Sequence, residues 1–124
     1  MKKTKKQLLR DEADKQWSIA CFRKWGDSCT VCGKPATQTH HFFPKGQSAY
    51  LRYDVNNGVP LCFYCHILRI HRKNEPEPIV AISNSRGKEW YDNLARLKKE
   101  GQNKSSYLSV KYYEDIIKKL KETK

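Results

Sequence analysis

Two CxxC pairs constrain the fold of this chain more than any other feature of its sequence. They are Cys29-Thr-Val-Cys32 and Cys62-Phe-Tyr-Cys65, and this spacing lets each pair bind one tetrahedral Zn²⁺ through two thiolates. Only 38% of the 124 residues are hydrophobic, so the apolar core is small and needs another source of stability. We therefore predict one structural Zn²⁺ held by all four of these cysteines.

Three other uses of the cysteines remain open. One is a pair of thiol–disulfide redox motifs, which have the same spacing, and another is four thiols that bind no metal. A finger of two cysteines and two histidines would use His66 and His71, but it would leave one CxxC pair without a role. No apolar run resembles a secretion signal or a membrane span, so we expect a cytoplasmic protein, in a compartment that disfavours disulfides.

The charge of the chain predicts a polyanionic partner. Lys and Arg number 25 against 13 Asp and Glu, which gives a formal net charge of +12. The basic excess is spread over the whole sequence rather than gathered in a tail. Surface lysines that serve only solubility would not require so large an excess. Nucleic acid is the simplest partner of such a protein, and no membrane contact is expected.

Helical periodicity is strong at both ends of the chain and disappears in the middle. Apolar residues recur at helical spacing over 4–25, where Thr4 and Gln7 form a capping box, and again over 88–100 and 107–121. Cys21 and the three tryptophans lie on these apolar faces, so we expect them in the core. In the middle, frequent Gly, Pro and Asn residues indicate turns. There we expect a strand over 59–61, a short helix over 63–72 and an extended connector over 75–78. The pattern predicts an α+β fold in three parts: a helix over 1–28, a zinc core over 29–75 and a helical extension over 76–124.

The four histidines and four of the five cysteines all lie between residues 29 and 71. Their order is the pair His40-His41, then Asn57 in an Asn-rich turn, then His66 directly after the second CxxC pair. This order between two zinc pairs resembles the HNH (His-Asn-His) endonuclease family, in its zinc-knuckle subtype with a ββα-metal fold. The stretch at 51–54 and the Asn-rich turn are more narrowly similar to phage HNH recombination nucleases such as the NinG group.

The resemblance implies a role for each matched residue. His40 and His66 would bind a catalytic divalent ion, and His41 would be the general base that takes a proton from the attacking water, as an imidazole titrating near pH 6.5 can. Asn57 would hold the hairpin loop and so orient His41. His71, five residues after His66 and about one and a half helical turns away, would be a third ligand or a phosphate contact. The ion itself stays open among Mg²⁺, Mn²⁺, Zn²⁺ and Ni²⁺.

The predicted function is therefore metal-dependent hydrolysis of DNA phosphodiester bonds, by nicking or by double-strand cleavage. Four basic residues in or beside the motif are candidates for phosphate contacts: Arg52, Arg69, Arg72 and Lys73. The alternative is a non-catalytic zinc-binding module that docks on nucleic acid, which would give His41 and Asn57 no role. A zinc-stabilised protein-interaction domain would leave the charge unexplained.

Overall fold

The long N-terminal helix begins as its sequence predicts. The computed structural model of the protein describes residues 2–102 and 109–122, and its first element is helix α1, Lys5–Trp25. The Thr4 hydroxyl accepts a hydrogen bond from the Gln7 backbone N–H, and the Gln7 side chain accepts one from the Thr4 N–H, which confirms the capping box. Gly26 ends the helix at a φ of 89°, a backbone conformation that favours glycine.

The centre of the chain is a two-stranded antiparallel hairpin followed by a helix. Strand β1, Gln38–His41, pairs with strand β2, Gly58–Leu61. A 3₁₀ turn, Val55–Asn57, leads into β2. The helix predicted over 63–72 is present, but Tyr64–Arg72 is a π-helix, in which the Lys73 N–H donates to the Leu68 carbonyl. The α+β prediction is confirmed, with helices on both sides of a small sheet.

Three further helices follow: α2, Glu77–Arg86; α3, Lys88–Gly101; and α4, Val110–Glu122. The extended connector predicted over 75–78 is wrong, because Pro76 caps α2 and Pro78 occupies its first turn, where proline fits the helix without losing a hydrogen bond. Helix α3 agrees with the prediction to within one residue. The predicted start of the last helix, including Tyr107 and Leu108, lies outside the described residues, as does most of the connector before it.

Two apolar clusters hold these elements together. One packs the hairpin and the zinc-knuckle cysteines against α2 and α3, through residues that include Val59, Leu61, Ile82 and Leu94. The other packs α1 against α4, and it contains Trp17, Cys21 and Tyr113. Cys21 is fully buried, and burial raises the pKa of its thiol to about 12, which agrees with an inert core cysteine. None of the helices in the described part of the chain has the length and apolarity that a bilayer-spanning helix requires.

Candidate active site and metal centres

The four paired cysteines come together at one end of the hairpin. Their sulfur atoms all lie within 4.8 Å of one another, and the Sγ atoms of Cys32 and Cys62 are 3.6 Å apart. Four sulfurs bound tetrahedrally at about 2.3 Å would be separated by roughly 3.8 Å, so the cluster fits a Zn²⁺ ion. All five cysteines of the chain are within the described residues, and each is a free thiol. The four cysteines are therefore positioned to bind a metal, and neither disulfides nor a site mixed with His66 and His71 is found among them.

The hairpin places its two histidines on opposite faces, because successive side chains of a strand alternate. His40 is 95% buried and turns toward the π-helix, where its ring lies 5.0 Å from the ring of His66. His41 turns toward α1 instead and stacks on Trp17. Adjacent in sequence, the two residues thus occupy different environments and are suited to different roles.

His40, His66 and His71 form a second cluster of ligand atoms, again within 4.8 Å of one another. The Nε2 atoms of His66 and His71 are 3.0 Å apart. Two imidazole nitrogens bound to one ion at about 2.0–2.1 Å would be roughly 3.0–3.4 Å apart, so this distance fits shared ligation. The Nε2 atom of His40 is buried without a hydrogen-bond partner. Such an atom is costly unless something binds it, and a divalent ion would do so.

The π-helix brings His71 into this cluster. In an α-helix, residues five apart lie about 140° apart around the axis, which is why the sequence indicated a separation of one and a half turns. In a π-helix the hydrogen bonds join residues five apart, so the side chains of His66 and His71 point the same way. The wider helix accommodates a five-residue spacing that an α-helix would not. Irregular turns of this kind are frequent at functional sites.

Gln38 orients His66, and sequence reasoning did not find it. Its Oε1 atom lies 2.7 Å from Nδ1 of His66. Because this oxygen can only accept, Nδ1 carries the proton and Nε2 keeps its lone pair for a ligand. Burial lowers the pKa of His66 to about 4, and burial with the neighbouring His66 and His71 lowers that of His40 to about 3. Both rings are therefore neutral at physiological pH, the form that binds metal.

His41 is held by two contacts. Its ring is stacked on that of Trp17, with centroids 3.9 Å apart and planes 11° apart, and its Nε2 atom lies 3.0 Å from the Arg52 carbonyl oxygen. The carbonyl can only accept, so Nε2 carries the proton and Nδ1 is left with the lone pair. Burial lowers the pKa of His41 to about 4, below the value near 6.5 expected from the sequence. The imidazole is thus neutral and able to accept a proton.

Asn57 is fully buried and fastens the loop between the strands. Its Oδ1 atom accepts a hydrogen bond from the Phe43 N–H at 2.8 Å. Its Nδ2 atom donates to the carbonyl oxygens of Phe43, at 3.0 Å, and Leu51, at 3.3 Å. Since Arg52 follows Leu51 directly, these bonds fix the backbone that carries the carbonyl bound to His41.

Comparison with known proteins agrees with this geometry. Residues 29–72 match the family described as HNH endonuclease. This segment is an HNH domain. It contains both clusters, the hairpin and Asn57, whereas α1 and the three C-terminal helices lie outside it. The narrower similarity to the phage NinG group stays a prediction.

One curated relative adds to the comparison. The chain is 37% identical over 78 residues to a protein of Sarcophyton glaucum described as mitochondrial DNA mismatch repair protein mutS homolog. The match covers 54% of this chain and 8% of that protein. The chain therefore spans less than a tenth of the length of this relative. No solved structure shows a significant match.

A cleft of about 460 Å³ opens over the two histidine environments. The HNH segment contributes all four histidines to its lining, and α1 contributes Asp14, Trp17 and Ser18. Lys45 lies at the cleft as an exposed cation that sequence reasoning missed. In the sequence, the only indication of this residue's role was its positive charge in the loop between the strands.

The four predicted phosphate contacts fall into two kinds. Arg72 and Lys73 are exposed at the end of the π-helix. Arg69 is paired with Glu75 at 3.3 Å. The Arg52 guanidinium binds both carboxylate oxygens of Asp14, at 2.9 to 3.2 Å, so its charge is already matched within the protein. The structure thus leaves Arg72 and Lys73 the more accessible pair.

Proposed function

We propose that this protein is a metal-dependent DNA endonuclease that hydrolyses phosphodiester bonds. One observation carries the proposal: three imidazoles converge in the same cleft as a fourth, His41, whose ring is oriented separately. The convergence of His40, His66 and His71 supports a bound cation, and the separate orientation of His41 supports a base. A module that only bound nucleic acid would need neither.

The chemistry follows from the roles that these residues support. A divalent ion held by His40, His66 and His71 would stabilise the charge that develops on the phosphate and the leaving oxygen. His41 accepts a proton from the attacking water at Nδ1, while the Arg52 carbonyl holds the Nε2 proton and stabilises the imidazolium that forms. Imidazole ligands without a carboxylate favour borderline ions such as Zn²⁺ and Ni²⁺ over Mg²⁺.

Three observations support DNA as the substrate. The chain carries a net charge of +12, and the family that matches is described as an endonuclease. The curated relative is described as a DNA mismatch repair protein. We propose that Lys45, Arg72 and Lys73 contact the phosphate backbone. Lys45 is exposed in the lining of the cleft, and Arg72 and Lys73 are exposed directly after His71, which also lines it. The products would carry 5′-phosphate and 3′-hydroxyl ends, as the resemblance implies.

The experiment is a cleavage assay on supercoiled plasmid, with a series of divalent ions and an EDTA control. The parent should nick or cut only with an added ion. His41→Ala should retain the fold, the cysteine-held zinc and DNA binding but lose at least about a hundredfold in rate, since it removes proton transfer. His40→Ala should bind the second ion more weakly, so part of its activity should return at high ion concentration.

Two outcomes would overturn the proposal. Cleavage by His41→Ala at the parental rate would remove the base from the mechanism. A parent that binds no ion beyond the cysteine-held zinc in calorimetry, and cuts no plasmid with any ion, would make the non-catalytic zinc module the better explanation.

A further inference from the structure

Helix α1 lies outside the segment that matches the HNH family, yet it forms one wall of the cleft. Asp14, Trp17 and Ser18 are one helical turn of α1, and all three face the site. Ser18 shares a hydrogen bond of 2.7 Å with Thr39, the residue before His40. Asp14 binds the side chain of Arg52, whose carbonyl holds His41. One turn of α1 therefore contacts the hairpin on either side of His41.

The contact between Trp17 and His41 is the most direct of these. The nearly parallel rings at 3.9 Å cover one face of the imidazole. Trp17 is itself fixed, because it is 3% exposed and its indole N–H donates to the Asp54 carbonyl at 2.9 Å. A hydrogen bond at Nε2 alone would leave the imidazole free to tilt about that bond. The stacking partner removes this freedom, so the direction of the Nδ1 lone pair is defined.

The sheet is shaped to admit this tryptophan. Gly58 lies opposite His41 in the antiparallel pairing. A Cβ atom at position 58 would come within 2.9 Å of the Trp17 ring. The absence of a side chain there leaves the space in which the indole reaches His41. Gly58, Trp17 and His41 thus form one packed unit.

We propose that Trp17 is a positioning residue for the base His41, so that the catalytic unit of this protein consists of the HNH segment together with α1. The inference rests on the proposed function. Trp17 does not touch the reacting atoms; it acts through the orientation of the imidazole. The flat aromatic face is the property that matters, and a residue of similar volume without a ring would not replace it.

The helix offers a matched control in Trp25. Its indole N–H donates to the Val55 carbonyl at 2.9 Å, next to the Asp54 carbonyl that accepts from Trp17. It packs against the same cluster as Trp17, but its ring partner is the Arg86 guanidinium, not a histidine. Loss of Trp25 therefore tests what it costs to remove a tryptophan from α1 without touching His41.

The test measures the single-turnover rate at saturating DNA and ion for Trp17→Phe, Trp17→Leu and Trp25→Leu, below the unfolding temperature of each variant. Misdirection of a base by a fraction of an ångström to 1 Å costs up to about a hundredfold in rate. We expect Trp17→Leu to lose about ten- to a hundredfold in this rate, with affinity for DNA nearly unchanged. Trp17→Phe, which keeps the stack, should stay within about threefold of the parent, as should Trp25→Leu.

A second measurement does not depend on cleavage. In the zinc-loaded protein without a further ion, carbon-13 NMR relaxation of the His41 ring C–H groups should show an imidazole as rigid as the backbone around it. Trp17→Phe should retain this rigidity, whereas Trp17→Leu should show a mobile ring. A His41 ring as rigid in Trp17→Leu as in the parent would overturn the inference, and so would equal rate losses in the leucine and phenylalanine variants or in Trp25→Leu. If the parent does not cleave at all, the proposed function fails, and the NMR result alone still decides whether Trp17 positions the ring.

Discussion

Replacement of Asn57 by alanine tests how the loop between the strands is held. Three hydrogen bonds are lost, to the Phe43 N–H, the Phe43 carbonyl and the Leu51 carbonyl, at 2.8, 3.0 and 3.3 Å. A buried group left without its partner costs about 1–3 kcal/mol. The two groups on Phe43 are only partly buried, so water can replace part of what they lose, and the bond to Leu51 is long. We expect Asn57→Ala to lower the free energy of unfolding by about 3 kcal/mol.

Such a loss is a large share of the stability of a small domain, which is about 5–15 kcal/mol in total. At m-values of about 1–3 kcal/mol/M in urea it moves the unfolding midpoint by roughly 1–3 M. The measurement is urea unfolding of the zinc-loaded protein, followed by circular dichroism. Asn57→Asp keeps the acceptor for the Phe43 N–H but faces two carbonyl oxygens with a carboxylate. Its loss should be at least as large.

The adjacent Asn56 is the matched control. Within the described residues, the one bond given for its side chain is from the exposed Lys24 amine, at 2.6 Å, so Asn56→Ala should change the free energy of unfolding by less than about 0.5 kcal/mol. Cleavage by Asn57→Ala at a temperature where it is folded should fall only partly, because the loop carries the carbonyl that orients His41. Equal stabilities of the two alanine variants, or a loss below about 1 kcal/mol for Asn57→Ala, would refute the reasoning.

Three further predictions concern the packing, the zinc and the second metal. Gly58→Ala would place a Cβ atom 2.2 Å from the Cys21 sulfur, and we expect it to destabilise the fold by about 2–3 kcal/mol in urea unfolding; a neutral result would contradict the close approach. Cys32→Ser should lose the tightly bound zinc and much of the folded structure, measured by elemental analysis and circular dichroism, and a full equivalent of zinc in a folded variant would refute four-cysteine ligation. His71→Ala should weaken calorimetric binding of the second ion by at least about tenfold, whereas the neighbouring Arg72→Ala should not, and equal affinities would remove His71 from the ligand set.

The features that the sequence predicted correctly depend on residues close together in sequence or on residue types with few possible roles. The capping box depends on Thr4 and Gln7, which are three residues apart, so a short stretch of sequence determines where α1 begins. The four-cysteine cluster could be predicted because two CxxC pairs leave few alternatives once a metal is assumed. The helix beginning at Glu77 was missed although its signal was present: proline and glutamate suit a first turn as well as an extended linker, and only the packing of Ile82 in the core decides between them.

The tertiary structure decided how the histidines are arranged. His71 lies beside His40 and His66 because the helix that carries it widens, a conformation that the spacing of residues in sequence does not specify. Trp17 stacks on His41 across 24 positions of sequence, and periodicity placed that tryptophan correctly in the core without indicating what it would touch. Arg52 was predicted to contact DNA, yet its guanidinium binds Asp14 and its carbonyl binds His41. Residue types and short spacings therefore determined which candidate metal ligands and which candidate base the protein contains. The orientation of these side chains depended on contacts between distant segments, which form only when the helices pack on the hairpin.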